Sequence, residues 1–153
     1  MKRLLVFILF LGAILSGCNK AEHNERKWFD SQDEAIQNGL KVEGISQDDI
    51  ISSYDLNGEL FIVFKKEIDG KLVVGVSNIA NKDDQYIWYR NGAYLHAQKD
   101  ITAYLSTKSF FGNEFVFYSG MTDQDSIRIG KFDSITPFID KKTGIYYFLS
   151  SKE

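Results

Sequence analysis

The sequence predicts an α+β domain: one N-terminal helix packed on a curved, mainly antiparallel meander sheet of about seven strands, with a small β-barrel-like sheet as the alternative. Three observations carry this expectation. Only one segment has both a helix start and a helix stop, short β-branched and aromatic runs fill the rest, and Asn-Gly or Asp-Gly dipeptides separate those runs.

The helix begins at Ser31-Gln32-Asp33-Glu34, a capping box in which the Ser31 hydroxyl accepts from the Glu34 amide and the Glu34 carboxylate reaches back to the Ser31 N–H. Ile36, Leu40 and Val42 supply its apolar face. Gly44, able to take positive φ without a Cβ penalty, ends it.

From Ile50 onward the signals are strands and turns. Asn57-Gly58, Asp69-Gly70 and Asn91-Gly92 are dipeptides suited to type I′ hairpin turns, where two consecutive residues need positive φ. The strand candidates are Leu60 to Phe64, Leu72 to Val76, Tyr86 to Tyr89, Ile101 to Leu105, Phe115 to Tyr118, Ile127 to Phe132 and Ile145 to Leu149, the last after a turn at Thr143-Gly144. Leu60 to Phe64 and Ile145 to Leu149 are apolar at every position, so both faces of those strands require cover.

Ahead of the domain, Met1-Lys2-Arg3 is a positive n-region and Leu4 to Ile14 an apolar stretch, the order of a secretory signal. A bilayer-spanning helix needs about 20 apolar residues, and this run stops short of that. It ends in Leu15-Ser16-Gly17-Cys18, which resembles the lipobox of bacterial lipoproteins: an aliphatic residue, two small ones, then cysteine. Small side chains at Ser16 and Gly17 admit a peptidase to the backbone, and only a thiol forms the diacylglycerol thioether. The resemblance implies cleavage before Cys18 and lipid on it. Two or more acyl chains, at about 0.8 kcal/mol per buried CH₂, anchor a protein stably where one does not. The expected organisation is a signal peptide over 1–17, a lipid-attached polar tether over 18–28 and a single globular extracytoplasmic domain over 29–153. The polar stretch Asn19 to Lys27 has a flexible-chain reach of about 15–20 Å. His23 within it is read as solvated, with no second ligand at metal spacing.

Composition excludes several function classes. Removing residues 1–17 takes Lys2 and Arg3 and leaves 16 basic against 21 acidic side chains, a balance that disfavours nucleic acid or an anionic surface as the main partner. The single cysteine leaves no internal disulfide, thiolate metal cluster or cysteine nucleophile. No cofactor motif is present.

Among candidate chemical groups, His96 with Asp100 as orienting carboxylate is the one possible general base, but no Gly-x-Ser-x-Gly nucleophile elbow exists to serve it. Lys142-Thr143-Gly144 matches a short element of penicillin-recognising enzymes without their Ser-x-x-Lys segment, and is read as a turn. Asp48-Asp49, Asp83-Asp84 and Asp123-Gln124-Asp125 offer oxygen ligands, yet lack the glycine and distal glutamate of an EF-hand loop, so turn chemistry is the expectation and no metal site is assigned. Trp88, Tyr89 and Tyr94, with Tyr86, form either a stacking platform for glycan or peptide or ordinary cross-strand packing. Exposure of Trp88 and Tyr94 on an open concave face is what separates the two.

The stretch from Phe29 to Gly44, followed by an Asn-Gly hairpin and an aromatic strand such as Tyr86-Ile87-Trp88-Tyr89-Arg90, resembles small lipoproteins of spore-forming Gram-positive bacteria. That resemblance rests on cap, turn and aromatic residues and brings no catalytic residue with it. The expected function is that of a membrane-anchored extracytoplasmic lipoprotein, a non-catalytic binding or interaction module held by diacylglycerol on Cys18 and facing an envelope or secreted protein or a glycan. A small envelope hydrolase or metal-assisted enzyme using His96 is the alternative from another class, and an inhibitor or immunity-type protein is the third.

Overall fold

The computed structural model describes residues 27–127 and 136–152. The signal segment, Cys18, His23, most of the tether and all but Ile127 of the strand expected over Ile127 to Phe132 lie outside the described residues. Within them the α+β expectation holds, with one α-helix and strands that form two antiparallel sheets instead of one, neither closed as a barrel.

The helix, α1 (Gln32–Glu43), starts where the capping residues place it: Ser31 is extended and its hydroxyl accepts from Glu34 N at 3.2 Å. It ends in a Schellman arrangement. Gly44 sits at φ 66°, its N–H reaching Lys41 O, while Ile45 N donates to Leu40 O at 3.0 Å. The buried stripe is Ala35, Gly39, Leu40 and Glu43, with Ile36 half-buried, whereas Val42, counted on the apolar face from its side chain alone, is 58% exposed. Positions 35, 39 and 43 recur every four residues, and the small side chains at Ala35 and Gly39 let the helix approach the sheet. A 3₁₀ turn, Gln47–Asp49, follows, its Asp49 carboxylate accepting from Ser46 N at 2.8 Å.

The first sheet runs β1 (Ile50–Leu56), β2 (Glu59–Ile68), β3 (Lys71–Lys82), β4 (Gln85–Arg90), with β5 (Leu95–His96) also on β3. Its hairpins are two-residue loops. Asn57 and Gly58 take φ 56° and 79°, Asp69 and Gly70 take 51° and 71°, as the dipeptides demand. Asp83-Asp84 makes a third such turn at φ 53° and 60°, which is the turn reading of that acidic pair. Asn91-Gly92, by contrast, is not a hairpin. Only Gly92 has positive φ; Asn91 is buried and its Nδ2 donates to Lys108 O at 2.9 Å. The chain leaves β3 there and returns to it farther along at Leu95, so β4 and β5 share one edge.

The second sheet has the order β6 (Ala103–Lys108), β7 (Glu114–Met121), β9 (Ile145–Ser151), β8 (Phe138–Asp140). Among the described residues there are nine strands, three of them not expected from sequence: β5 and β8 are too short to show a period, and the Ser52-Ser53 pair interrupts the apolar run of β1. The expected strand from Ile101 begins at Ala103 instead, because Ile101 is 53% exposed and only bridges Gln98.

Two sheets explain why β2 is apolar on both sides. Ile62, Phe64 and Ile79 face α1 together with Ile36, Trp88 and Tyr94. Phe61, Val63, Val74 and Val76 face the second sheet's Phe115, Phe117, Ile145, Tyr147 and Leu149. The layers are therefore helix, sheet, sheet, and the first sheet is the covered middle layer. Polar latches join the sheets at one end. Asn78, fully buried, donates to Leu60 O at 3.2 Å and accepts from Phe110 N at 3.1 Å.

Candidate functional site

Chemistry-bearing side chains gather most densely where the end of α1 meets the first sheet. The helix C-terminus carries a partial negative charge, and Glu43 adds a full one. Two cations answer it: Arg90 Nη1 lies 2.5 Å from Glu43 Oε2, and Lys66 Nζ donates to the Glu43 carbonyl. Tyr94 donates its phenol proton to the same Oε2 at 2.7 Å, and the Arg90 guanidinium stacks 3.7 Å above the Tyr94 ring and 5.1 Å from the Phe64 ring. Burial, the hydrogen bond to Glu43 and that carboxylate's charge push the Tyr94 phenol up to about 12, against the opposing pull of Arg90. The phenol stays protonated and donating. Every polar bond in this cluster ties α1 to the sheet, so its chemistry is that of a clamp.

Trp88 completes the clamp. A Cβ on Gly39 would lie 2.0 Å from Trp88 Cδ2, which means the indole lies flat against the helix backbone where only glycine leaves room. Trp88 and Tyr94 flank Phe64 at centroid distances of 5.7 and 6.3 Å, half-buried beneath α1. Tyr89, on alternating register, points to the opposite face, where its ring meets Phe110 edge-on at 5.6 Å. Trp88, Tyr89 and Tyr94, which the sequence left open as a stacking platform or as cross-strand packing, are thus split between two faces. Trp88 and Tyr94 do not form an open concave platform, because the helix occupies that face.

His96 is exposed at the end of β5, opposite Val73. Among the described residues no hydrogen bond or ion pair joins it to Asp100. Asp100 instead borders a separate hollow of about 240 Å³ with Thr102, Thr122 and Tyr146, in which Tyr146 Oη and Thr102 Oγ1 lie 2.6 Å apart. Among the described residues no three His, Cys, Asp or Glu side chains converge in a way that would hold a metal. Asp49 is engaged in its local cap, which holds its carboxyl below the usual range through the Ser46 amide, and Asp123 pairs with Lys99. Lys142-Thr143-Gly144 lies in the turn before β9, Thr143 Oγ1 donating to Asp140.

One feature escaped sequence reasoning altogether. The β6–β7 connection, Ser109-Phe110-Phe111-Gly112-Asn113, is a tight turn closed by Gly112 N to Ser109 O at 3.0 Å and Ser109 N to Asn113 O at 2.9 Å, with Gly112 at φ 90°. Two phenylalanines therefore occupy the central turn positions, where Asp, Asn, Ser or Pro is usual. Phe111 is 50% exposed. Phe110 sits between its neighbours, with ring centroids 5.3 Å from Phe111 and 5.4 Å from Trp28. Trp28, assigned to the tether from sequence, is in this way packed on the domain. Glu59 supports the turn by accepting from Ser109 Oγ at 2.9 Å and from Asn113 Nδ2. The signal was available: adjacent phenylalanines ahead of Gly-Asn, between two alternating strands.

Among the described residues no helix is long and apolar enough to cross a membrane. Comparison with family models, with curated proteins and with solved structures gives no match.

Proposed function

We propose that this chain is a lipid-anchored extracytoplasmic lipoprotein whose domain serves as a non-catalytic binding or interaction module of the cell envelope. The observation that carries the reading is Leu15-Ser16-Gly17-Cys18 at the end of a short charged-then-apolar leader, with the only cysteine of the chain at the modified position. The likeness to small lipoproteins of spore-forming Gram-positive bacteria supports the same address. A binding role is supported by the use of the domain's reactive groups: Glu43, Arg90 and Tyr94 are spent on fastening α1, while Phe111, Tyr104 and Phe138 are large apolar side chains left at the surface.

Growth with radiolabelled palmitate tests the anchor. Label on the native product and its loss in Cys18→Ala are expected; an unlabelled native product, or a Cys18→Ala product that is labelled and still sediments with membranes, overturns it. The enzyme alternative makes a different forecast, since a His96→Asn strain would then behave like a deletion, whereas a binding module retains its phenotype.

A further inference from the structure

We infer that the aromatic tip formed by Trp28 and the Phe110-Phe111 turn docks the domain onto the lipid surface that carries its anchor, so that the module lies against the membrane instead of swinging free; this rests on the lipid-anchor reading above. Three observations lead there. The first is placement: Trp28 is ten residues from Cys18, and ten residues span at most about 33–36 Å even when fully extended. The end of the domain bearing Trp28 is therefore held within reach of the headgroup layer.

The second is the turn itself. A phenylalanine half-exposed at the apex of a tight hairpin does nothing for the core, and its neighbour Phe110 bridges it to Trp28 at ring distances of 5.3 and 5.4 Å. Tryptophan and phenylalanine beside one another at an edge fit the interfacial layer of a bilayer, where an apolar ring meets water on one side.

The third is charge. Around the tip acidic and basic groups are mixed: Glu114 lies 2.9 Å from Lys108 Nζ and 3.6 Å from Lys152 Nζ, Glu59 accepts from the Ser109 hydroxyl and from Asn113 Nδ2, and Lys27 beside Trp28 holds its ammonium 4.9 Å from the Phe29 ring centroid. A rim of mixed sign presents no single-signed field to an anionic surface, and the mature chain carries more acid than base. The occupant that suits it is the aromatic-accepting interface of a bilayer, with little dependence on headgroup charge or salt.

The test uses the acylated full-length product, purified from membranes and reconstituted in phosphatidylcholine vesicles whose acyl chains are brominated near the headgroup. Trp88→Phe leaves Trp28 as the only indole. Because Trp88 packs on Gly39, the same quantity is also taken as the difference between the native chain and Trp28→Phe. Docking predicts that bromolipid quenches Trp28 emission, that added salt leaves the quenching unchanged, and that Phe111→Asp lowers the docked-to-undocked ratio by at least about tenfold, the worth of one buried phenyl ring. Phe111→Asp is expected to retain palmitate label and vesicle sedimentation.

A labelled protein whose Trp28 is unquenched, or whose quenching survives Phe111→Asp, overturns the docking and leaves the anchor standing. Trp28 shielded from aqueous iodide without bromolipid quenching marks a second copy or a protein partner on the tip and overturns it too. An unlabelled protein that does not stay with vesicles removes the anchor, and the docking with it.

Discussion

Gly→Ala within a helix ordinarily stabilises by about 1 kcal/mol, because alanine loses less backbone entropy on folding. At Gly39 the sign should reverse. The added Cβ would sit 2.0, 2.3 and 2.4 Å from Cδ2, Cε3 and Cγ of Trp88, against an ordinary contact of 3.4 Å or more. Neither partner yields easily: the Cβ is fixed to the helix backbone and the indole is wedged beside Phe64, so α1 must lift from the sheet. Overpacking costs typically about 1–3 kcal/mol, and an overlap this deep falls at the upper end, which leaves about 2 kcal/mol of net destabilisation after the propensity gain. With a urea slope of about 2 kcal/mol per molar, the midpoint should fall by roughly 1 M. Urea unfolding followed by far-ultraviolet circular dichroism measures it directly. In a Trp88→Ala background, where the obstructing ring is gone, Gly39→Ala should become neutral or stabilising. A neutral or stabilising effect in the native background, or an equal cost in both, would refute the claim that the helix rests on the indole.

Glu43→Gln removes the countercharge of Arg90 while keeping its shape, and should lower stability by about 2 kcal/mol in thermal or urea unfolding; adding Arg90→Met should recover part of that loss. The Tyr94 phenol, raised to about 12 from an unfolded value near 10, binds its proton more tightly when folded. Its contribution is therefore complete below pH 10 and lost as pH rises toward 12, so unfolding midpoints should fall across that interval. Tyr94→Phe should make the fall shallower without abolishing it, since burial raises Tyr147 as well. Asn78→Ala leaves the Leu60 carbonyl and Phe110 amide without their side-chain partner, and should cost about 2–4 kcal/mol with faster hydrogen exchange at Phe110.

The parts of this fold that can be read from the sequence are those with a local cause. Ser31 and Gly44 bound α1 because each satisfies backbone groups that the helix leaves unpaired. Asn57-Gly58 and Asp69-Gly70 set hairpins because both central residues need positive φ. The all-apolar run of β2 correctly requires two covering layers, but the identity of those layers depends on contacts distant in sequence. The second sheet joins β7 to β9 across a long intervening segment, and nothing in either strand alone distinguishes that pairing from continuation of the first sheet. Hydrophobicity misled at Val42, which lies off the buried stripe of Ala35, Gly39, Leu40 and Glu43, and no local signal marks Glu43 as buried, because its partners Arg90, Lys66 and Tyr94 come from other elements. At Trp88 and Tyr94 the packing alternative is the one the structure takes, since the pair lies against Phe64 under the helix. Phe110 and Phe111 went unremarked because a strand-and-turn reading assigns aromatics to strands. They stand out only once the turn is seen to close between Ser109 and Gly112.

The chemical state of the mature N-terminus bears most directly on the whole account. Intact-mass and N-terminal peptide mass spectrometry of the protein extracted from its native membrane should show residues 1–17 absent and a diacylglyceryl thioether on Cys18. A product that begins elsewhere, or that carries Cys18 as an unmodified thiol, would contradict the proposal that this domain is held at the envelope by lipid.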